Sequence, residues 1–241
     1  MEIILFLLLA LISEVAGTIG GFGSSVIFVP LAGFFFDFHT VLLVTGILHV
    51  FSNTAKLILF RKGIDWKLVM LLGIPSIFFV IIGAILSKHI KSEYIEFGLG
   101  IFLITIAAFM LFFPKAKVTP TNFNAIAGGG IAGFLAGLIG TGGAIRGLSL
   151  AAFSLEKNIF IATSAAIDFG VDFSRTIIYW SNAALDKKLY IYIPILLVVA
   201  FVGSYIGKLA LKKVSQESFK KIVLIFIILI GITMIFKFYN K

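Results

Sequence analysis

The chain has 241 residues, of which 60% are hydrophobic and only 13% charged. Its apolar runs of about 20 residues, the length that crosses a hydrocarbon core, make it an integral membrane protein and exclude a soluble domain. With no cysteine, disulfides and thiolate metal sites are excluded, and the +9 charge rests mostly on lysines between apolar runs, where they set topology and meet lipid headgroups rather than nucleic acid.

The first segment, about 2 to 36, lacks the basic start of a secretory signal and carries Glu14 where a cleavable apolar core would stand, so it reads as mature structure. It is too long for one straight crossing and is interrupted by GTIGGFGSS, which predicts a pair of half-helices. Ordinary crossings follow at about 40 to 60, 67 to 87 and 94 to 113. After PKAKVTPTN comes a second interrupted segment, 123 to 155, broken at GLIGTGGA, and then crossings at about 159 to 180, 189 to 211 and 218 to 236.

The order repeats. Gly17, Gly20 and Gly23 shift by 120 positions onto Gly137, Gly140 and Gly143. Downstream, KHIKSEYIEFGLGIFLITIAAFMLF aligns without a gap on KKVSQESFKKIVLIFIILIGITMIF. The expected architecture is an all-α polytopic membrane protein of two homologous halves, 1–113 and 123–241, joined by a linker at 114–122. Each half is a Gly-broken helical hairpin plus three transmembrane helices.

If both broken segments are re-entrant, Arg61, Lys62, Lys67, Lys115, Lys117, Lys157, Lys212, Lys213, Lys220 and Lys221 gather on one side, ten against six. If both cross fully the tally is nine against seven, a weaker bias under the positive-inside rule. The hairpin reading leaves three crossings per half, which makes the halves inverted repeats with both termini outside the cytoplasm.

A helix interrupted at membrane depth exposes backbone N–H groups at the start of its second part, and these need a partner. At Thr141, Gly142 and Gly143 the small residues let an anion approach the backbone, and the positive end of the following helix favours it. Arg146 adds a full charge and a planar donor fork suited to a carboxylate, sulfonate or sulfite, unless it pairs with a carboxylate of the fold. In the first half Gly20, Gly23, Ser24 and Ser25 surround the matching break, and Val26 stands where Arg146 would be.

A second polar group lies in ATSAAIDFGVDFSRTIIY, where Asp168, Asp172 and Arg175 share one helix face. A shift of 119 places His49, Asn53 and Lys56 at the corresponding positions of the other half, so both faces are expected to line one cavity, with snorkelling as the alternative for Lys56 and Arg175. Glu14 precedes the first break by one turn. Glu14, Asp168 and Asp172 balance Lys56, Arg146 and Arg175. Such a neutral cluster accepts an anion at low cost only if a carboxylate takes up a proton or a cation leaves its partner. That predicts proton-coupled anion movement, with Asp172 favoured as the proton carrier because it lies one turn from Arg175.

With these motifs in place, the chain resembles the TauE/SafE family of membrane permeases, the sulfite exporter and toluene sulfonate uptake family. The resemblance rests on GTIGGFGSSVIFVP and GTGGAIRGLSL, on Val44-Thr45-Gly46 and Ala162-Thr163-Ser164, and on the basic segment RKGIDWKL with its Asp-Trp pair. It covers essentially the whole chain. It implies a secondary transporter of sulfite, organosulfonates or related small anions in a bacterial cytoplasmic membrane, with no cofactor and no metal. Two readings compete: an anion channel using the same residues, and, more weakly, an intramembrane enzyme using Asp168 and Asp172 as acid and base.

Overall fold

The computed structural model describes residues 2–20, 23–60, 63–113, 118–182, 190–211 and 216–239. Arg61, Lys62, Lys115, Lys117, Lys212 and Lys213 from the charge tally, and residues 114–117 of the linker, lie outside them. Among the described residues there are ten α-helices and no strand: α1 (Glu2–Gly20), α2 (Ser25–Ala32), α3 (Phe38–Leu59), α4 (Trp66–Ser87), α5 (Ser92–Phe112), α6 (Asn122–Ile139), α7 (Gly143–Ala151), α8 (Lys157–Asn182), α9 (Tyr192–Ala210) and α10 (Gln216–Tyr239). Six of them (α1, α3, α4, α5, α6 and α9) are long and apolar enough to cross a membrane. At 26 residues α8 is also long enough, about 39 Å, but its apolar run is interrupted by Asp168, Asp172 and Arg175.

The broken segments differ from the half-helix expectation. Their first arms, α1 with 19 residues and α6 with 18, are full-length helices, and only α2 and α7, with 8 and 9, are short. The helices run through Gly17 and Gly137 because one helical glycine costs only about 1 kcal/mol, and the chain turns later. Gly140, at φ +79, ends α6 in the left-handed conformation that glycine adopts without steric penalty, and Gly23, at φ +82, precedes α2.

Each short helix folds back on its long arm. Gly17 lies against Ser24, while Phe6 near the start of α1 meets Phe28 at 5.5 Å and Phe36 at 5.2 Å between ring centroids. Likewise Gly142 lies against the Ala132 carbonyl and Gly128 against Ser149. Both segments therefore fold back on themselves as helical hairpins.

The hairpins are clamped by the other half. Along α6, Gly129, Gly133 and Gly137 press onto the backbones of Leu72, Ser76 and Val80, so α4 and α6 run parallel in close contact, and the Ser76 hydroxyl donates to the Gly129 carbonyl at 2.8 Å. Small residues of this kind let helices approach where no hydrophobic force between them exists in lipid. The same relation is made by α1 with α9, where Gly203 meets Glu14 and Gly207 meets Thr18. The helices paired by the duplication run antiparallel: Gly46 on Thr176 and Asn53 on Asp172 join α3 to α8, while Gly100 on Gly231 and Glu96 on Lys237 join α5 to α10.

Helix ends are fixed by side chains. Asp37, Asp65 and Thr121 accept N–H bonds from Thr40, Leu68 and Asn124 at 3.0 to 3.1 Å as N-caps. Lys208 and Lys157 donate to the Leu59 and Leu211 carbonyls at 2.6 and 3.1 Å, where a cation also complements the helix dipole. Two sequence motifs meet here, since the Asp65 N–H donates to the Thr163 hydroxyl at 3.0 Å and ties the Asp-Trp loop to the Ala-Thr-Ser element. Outward, Met70, Ile74, Phe78 and Ile85 of α4 are exposed as a lipid-facing surface, whereas α3 is mostly enclosed.

This packing sets an expected outcome for two glycines. Gly133→Ala puts a methyl into the Ser76 backbone and destabilises by about 1–3 kcal/mol, the range for overpacking. Gly98→Ala, with nothing within 4 Å, leaves stability unchanged or raises it by up to about 1 kcal/mol. Denaturant unfolding in detergent micelles measures both.

Candidate functional site

The central helices α3 and α8 carry matched polar faces, and the turns at both hairpin tips abut them. Their six charged side chains, five of them buried and Asp168 partly buried, resolve into three ion pairs. Lys56 Nζ lies 3.4 Å from Glu14 Oε2, Arg175 Nη2 lies 2.7 Å from Asp172 Oδ1, and Arg146 Nη1 pairs with Asp168 Oδ1. His49 stands between two of them, its Nε2 3.7 Å from Glu14 and its Nδ1 3.8 Å from Asp172. Asn53 Nδ2 donates to Asp172 Oδ2 at 2.7 Å, so positions matched by the duplication bond to each other across the junction of the halves.

Neither Lys56 nor Arg175 snorkels. Lys56 is 8% exposed and also donates to Ser52 Oγ at 2.7 Å; Arg175 is 1% exposed. Arg175 Nη1 donates to the Ala136 and Gly140 carbonyls at 2.9 and 2.8 Å, at the C-terminal end of α6. In the second half, position 134 is Phe, and the negative end of the helix supplies what Glu14 supplies to Lys56 in the first. Tyr179 reinforces that end by donating to the Gly137 carbonyl at 2.5 Å.

Two chambers of about 30 Å³ each flank the junction, and Gly23, Asn53, Lys56, Arg146 and Asp168 line both. The first continues past Thr18 and Ser164 toward the N-terminal end of α8. The second is bounded by Ser24, Ser25, Gly142 and Gly143, together with His49, Asp172 and Arg175. Ser24 and Gly142 are the N-cap residues of α2 and α7, and neither caps its helix with a side chain. Two uncapped helix N-termini, one from each half, therefore converge on the second chamber with their positive ends. The Gly23 and Gly143 backbones approach so closely that a Cβ on Gly23 would stand 3.8 Å from Gly143 Cα and from Arg146 Nη2.

Most of the residues singled out in the sequence meet here. Gly20 ends α1 outside both chamber linings. Thr141 is also outside them, its hydroxyl 3.1 Å from that of Ser25, where it holds the two hairpin tips together. Arg146 is engaged with Asp168, although its Nε is buried without a hydrogen-bond partner. The sequence names Ser164 only within the Ala-Thr-Ser motif, and gives no role to Ser52, Tyr179 or the Ala136 and Gly140 carbonyls. Ser52 carries a usable signal, four residues before Lys56 on the same helix; a carbonyl carries none. Among the described residues no group of acidic, histidine or cysteine side chains could hold a metal ion.

Two broken hairpins clamped between crossing helices, with uncapped helix ends and paired charges at their meeting point, define a multi-pass membrane protein of transporter type. The chain belongs to the TauE/SafE sulfite exporter family, whose sequence profile matches residues 5–234. It is 28% identical over 234 residues to the probable membrane transporter protein MJ0441 of Methanocaldococcus jannaschii, covering 86% of this chain and 85% of that protein. It is 25% identical over 272 residues to the probable membrane transporter protein YunE of Bacillus subtilis, covering 96% and 98%. No solved structure gives a significant match.

The ion pairs set a stability expectation. Lys56→Met leaves Glu14, fully enclosed, without its cation and destabilises by about 3–5 kcal/mol, as for other broken buried pairs. Adding Glu14→Gln recovers most of that loss. Thermal unfolding of the two variants in one detergent reads the difference.

Proposed function

We propose that the chain is a secondary transporter that carries a small anion, sulfite or an organosulfonate, across the cytoplasmic membrane together with a proton. The observation that carries this reading is the convergence of two uncapped helix N-termini and Arg146 on one buried chamber. Gly23, Ser24, Ser25, Gly142 and Gly143 give the backbone approach, Arg146, Arg175 and Asn53 the donors, and the carboxylates with His49 and Lys56 the charge balance. The proposed repeats are 1–113 and 123–241, joined by 114–122, and the antiparallel packing of α3 on α8 and of α5 on α10 supports their inversion.

Chambers of about 30 Å³ admit a water or two but no sulfur oxyanion, so binding requires Arg146 to separate from Asp168 and the cavity to widen. A centre that must rearrange for each anion favours a carrier over an open channel. The enzyme reading loses support because Asp168 and Asp172 are each engaged by an arginine. Charge conservation at the centre links the anion to a proton: the three pairs are neutral, and a monovalent anion entering with one proton keeps them so.

Flux into proteoliposomes under imposed gradients tests the reading, with sulfite, sulfoacetate, taurine and a plain carboxylate in parallel. A sulfur oxyanion should accumulate uphill and saturably; purely downhill flux indicates a channel and chemical change an enzyme. Arg146→Ala should weaken binding by about 1.5–3 kcal/mol, the range for a charge-assisted hydrogen bond, with Arg146→Lys an incomplete substitute. Unchanged affinity in Arg146→Ala makes the arginine a purely structural partner of Asp168. Single cysteines at Thr119 and Tyr239 should label from the cytoplasmic and outer sides respectively, and labelling from one side contradicts the proposed topology.

A further inference from the structure

We propose, resting on the anion-transport reading, that Glu14 is the coupling carboxylate: a proton passed to it through His49 and Ser24 releases Lys56 to hold the anion. The hydrogen bonds at this place have a fixed direction. Ser24 Oγ donates to Glu14 Oε1, Ser52 Oγ donates to Glu14 Oε2, and Lys56 Nζ donates to the same Oε2 at 3.4 Å. With its proton given to Glu14, Ser24 Oγ can only accept from His49 Nε2, 2.9 Å away, which places the ring N–H on Nε2. On the other edge Arg175 Nη2, which has no acceptor, lies 3.3 Å from Nδ1 and requires a lone pair there. Both contacts assign the same neutral tautomer, and the chain runs Arg175 to His49 to Ser24 to Glu14.

Ser24 is the N-cap residue of α2, a position where its hydroxyl would ordinarily accept a backbone N–H of the first turn. Here it makes no such bond and bridges the histidine and the carboxylate instead. The relay needs only small atomic shifts. When an anion in the second chamber draws Arg175 Nη2 away, Nδ1 is free to take a proton. The Nε2–H proton then passes to Ser24 Oγ, and the Ser24 hydroxyl proton passes to Glu14 Oε1. One proton enters and none is lost. His49 ends neutral with its proton on Nδ1, facing Asp172 Oδ2 at 3.8 Å, the serine is again a hydroxyl, and Glu14 is a neutral acid.

Neutral Glu14 no longer holds Lys56, which lines both chambers beside Arg146 and keeps its bond to Ser52. That gives the anion a differential interaction with the protonated state, and linkage makes the effect reciprocal. Asp172 suits the role less, although the sequence favours it, because its hydrogen-bond donors Arg175 and Asn53 cannot relay a proton, and His49 Nδ1, 3.8 Å from its Oδ2, is beyond hydrogen-bond reach. The charged groups facing His49 are Glu14 from α1, Asp172 and Arg175 from α8, and Lys56 from its own helix, with Arg146 and Asp168 across the chamber. Toward Glu14, α9 presents Gly203, which has nothing to titrate.

The test uses methanesulfonate, which stays ionised across the working range, so that any pH dependence belongs to the protein. Its dissociation constant in the intact protein should fall by about tenfold per unit of acidification, the limit for one linked proton. Infrared difference spectra should show a protonated-carboxyl band growing on acidification without the anion, and growing further with it. In Glu14→Gln that band should be absent and the dissociation constant independent of pH. Persistence of the band in Glu14→Gln, or its loss in Asp172→Asn alone, overturns the assignment. Nitrogen-15 spectra of the wild-type site, in a background lacking His39 and His89, give a readout that does not depend on a Glu14 variant folding. They should find the His49 proton on Nε2 at rest, and a resting proton on Nδ1 overturns the relay. If methanesulfonate does not bind at any pH, the organosulfonate reading fails, while the acid-induced band still decides for or against Glu14.

Discussion

Six charged side chains enclosed at the centre of a membrane protein can persist only as pairs, and the rest of this structure is arranged so that they are. An isolated charge there is prohibitively costly, so each cation must meet a carboxylate, and two of the three pairs join different helices. Glu14 of α1 reaches Lys56 of α3, Arg146 of α7 reaches Asp168 of α8, and only Arg175 finds its carboxylate on its own helix. Those reaches fix the hairpin tips against α3 and α8. The Gly129, Gly133 and Gly137 stripe and its counterparts Gly203 and Gly207 bring the long arms close enough for them to be made.

The two halves satisfy the same requirement with different chemistry. Lys56 is balanced by a carboxylate about two turns before the end of α1, whereas its counterpart Arg175 is also held by the carbonyls that end α6. The two proposed repeats are thereby asymmetric at their meeting point. In the proposed mechanism the first half carries the proton on Glu14, Ser24 and His49, and the second carries the anion on Arg146, whose planar donor fork suits an oxyanion. Asn53 bonded to Asp172 joins them at the point where the halves meet.

Much of this was legible in the chain because membranes constrain sequence strongly. Six apolar spans appear as α3, α4, α5, α8, α9 and α10 within a few residues of their expected bounds, since length and hydropathy decide both. The matched faces of α3 and α8 were readable from spacing, because i, i+4 and i+7 positions must share a side. What the sequence left unread is specific. Glycines at 17 and 137 look like break points, yet they are contact points inside continuous helices, and nothing in their identity distinguishes the two uses. The pairing of Arg146 with Asp168 joins separate helices, and spacing along one chain does not specify which cation meets which carboxylate. The roles of the Ala136 and Gly140 carbonyls belong to backbone atoms that every residue possesses.

In the proposed mechanism the anion lies between the N-termini of α2 and α7 and takes Arg146 from Asp168. The most direct measurement is the position of bound selenite, a heavier sulfite analogue, in an anomalous difference map of the crystallised protein. A single peak is expected in the widened second chamber, within hydrogen-bonding distance of Arg146 and the Gly143 backbone, with the arginine withdrawn from Asp168. A peak elsewhere, with the Arg146–Asp168 pair intact, would contradict it.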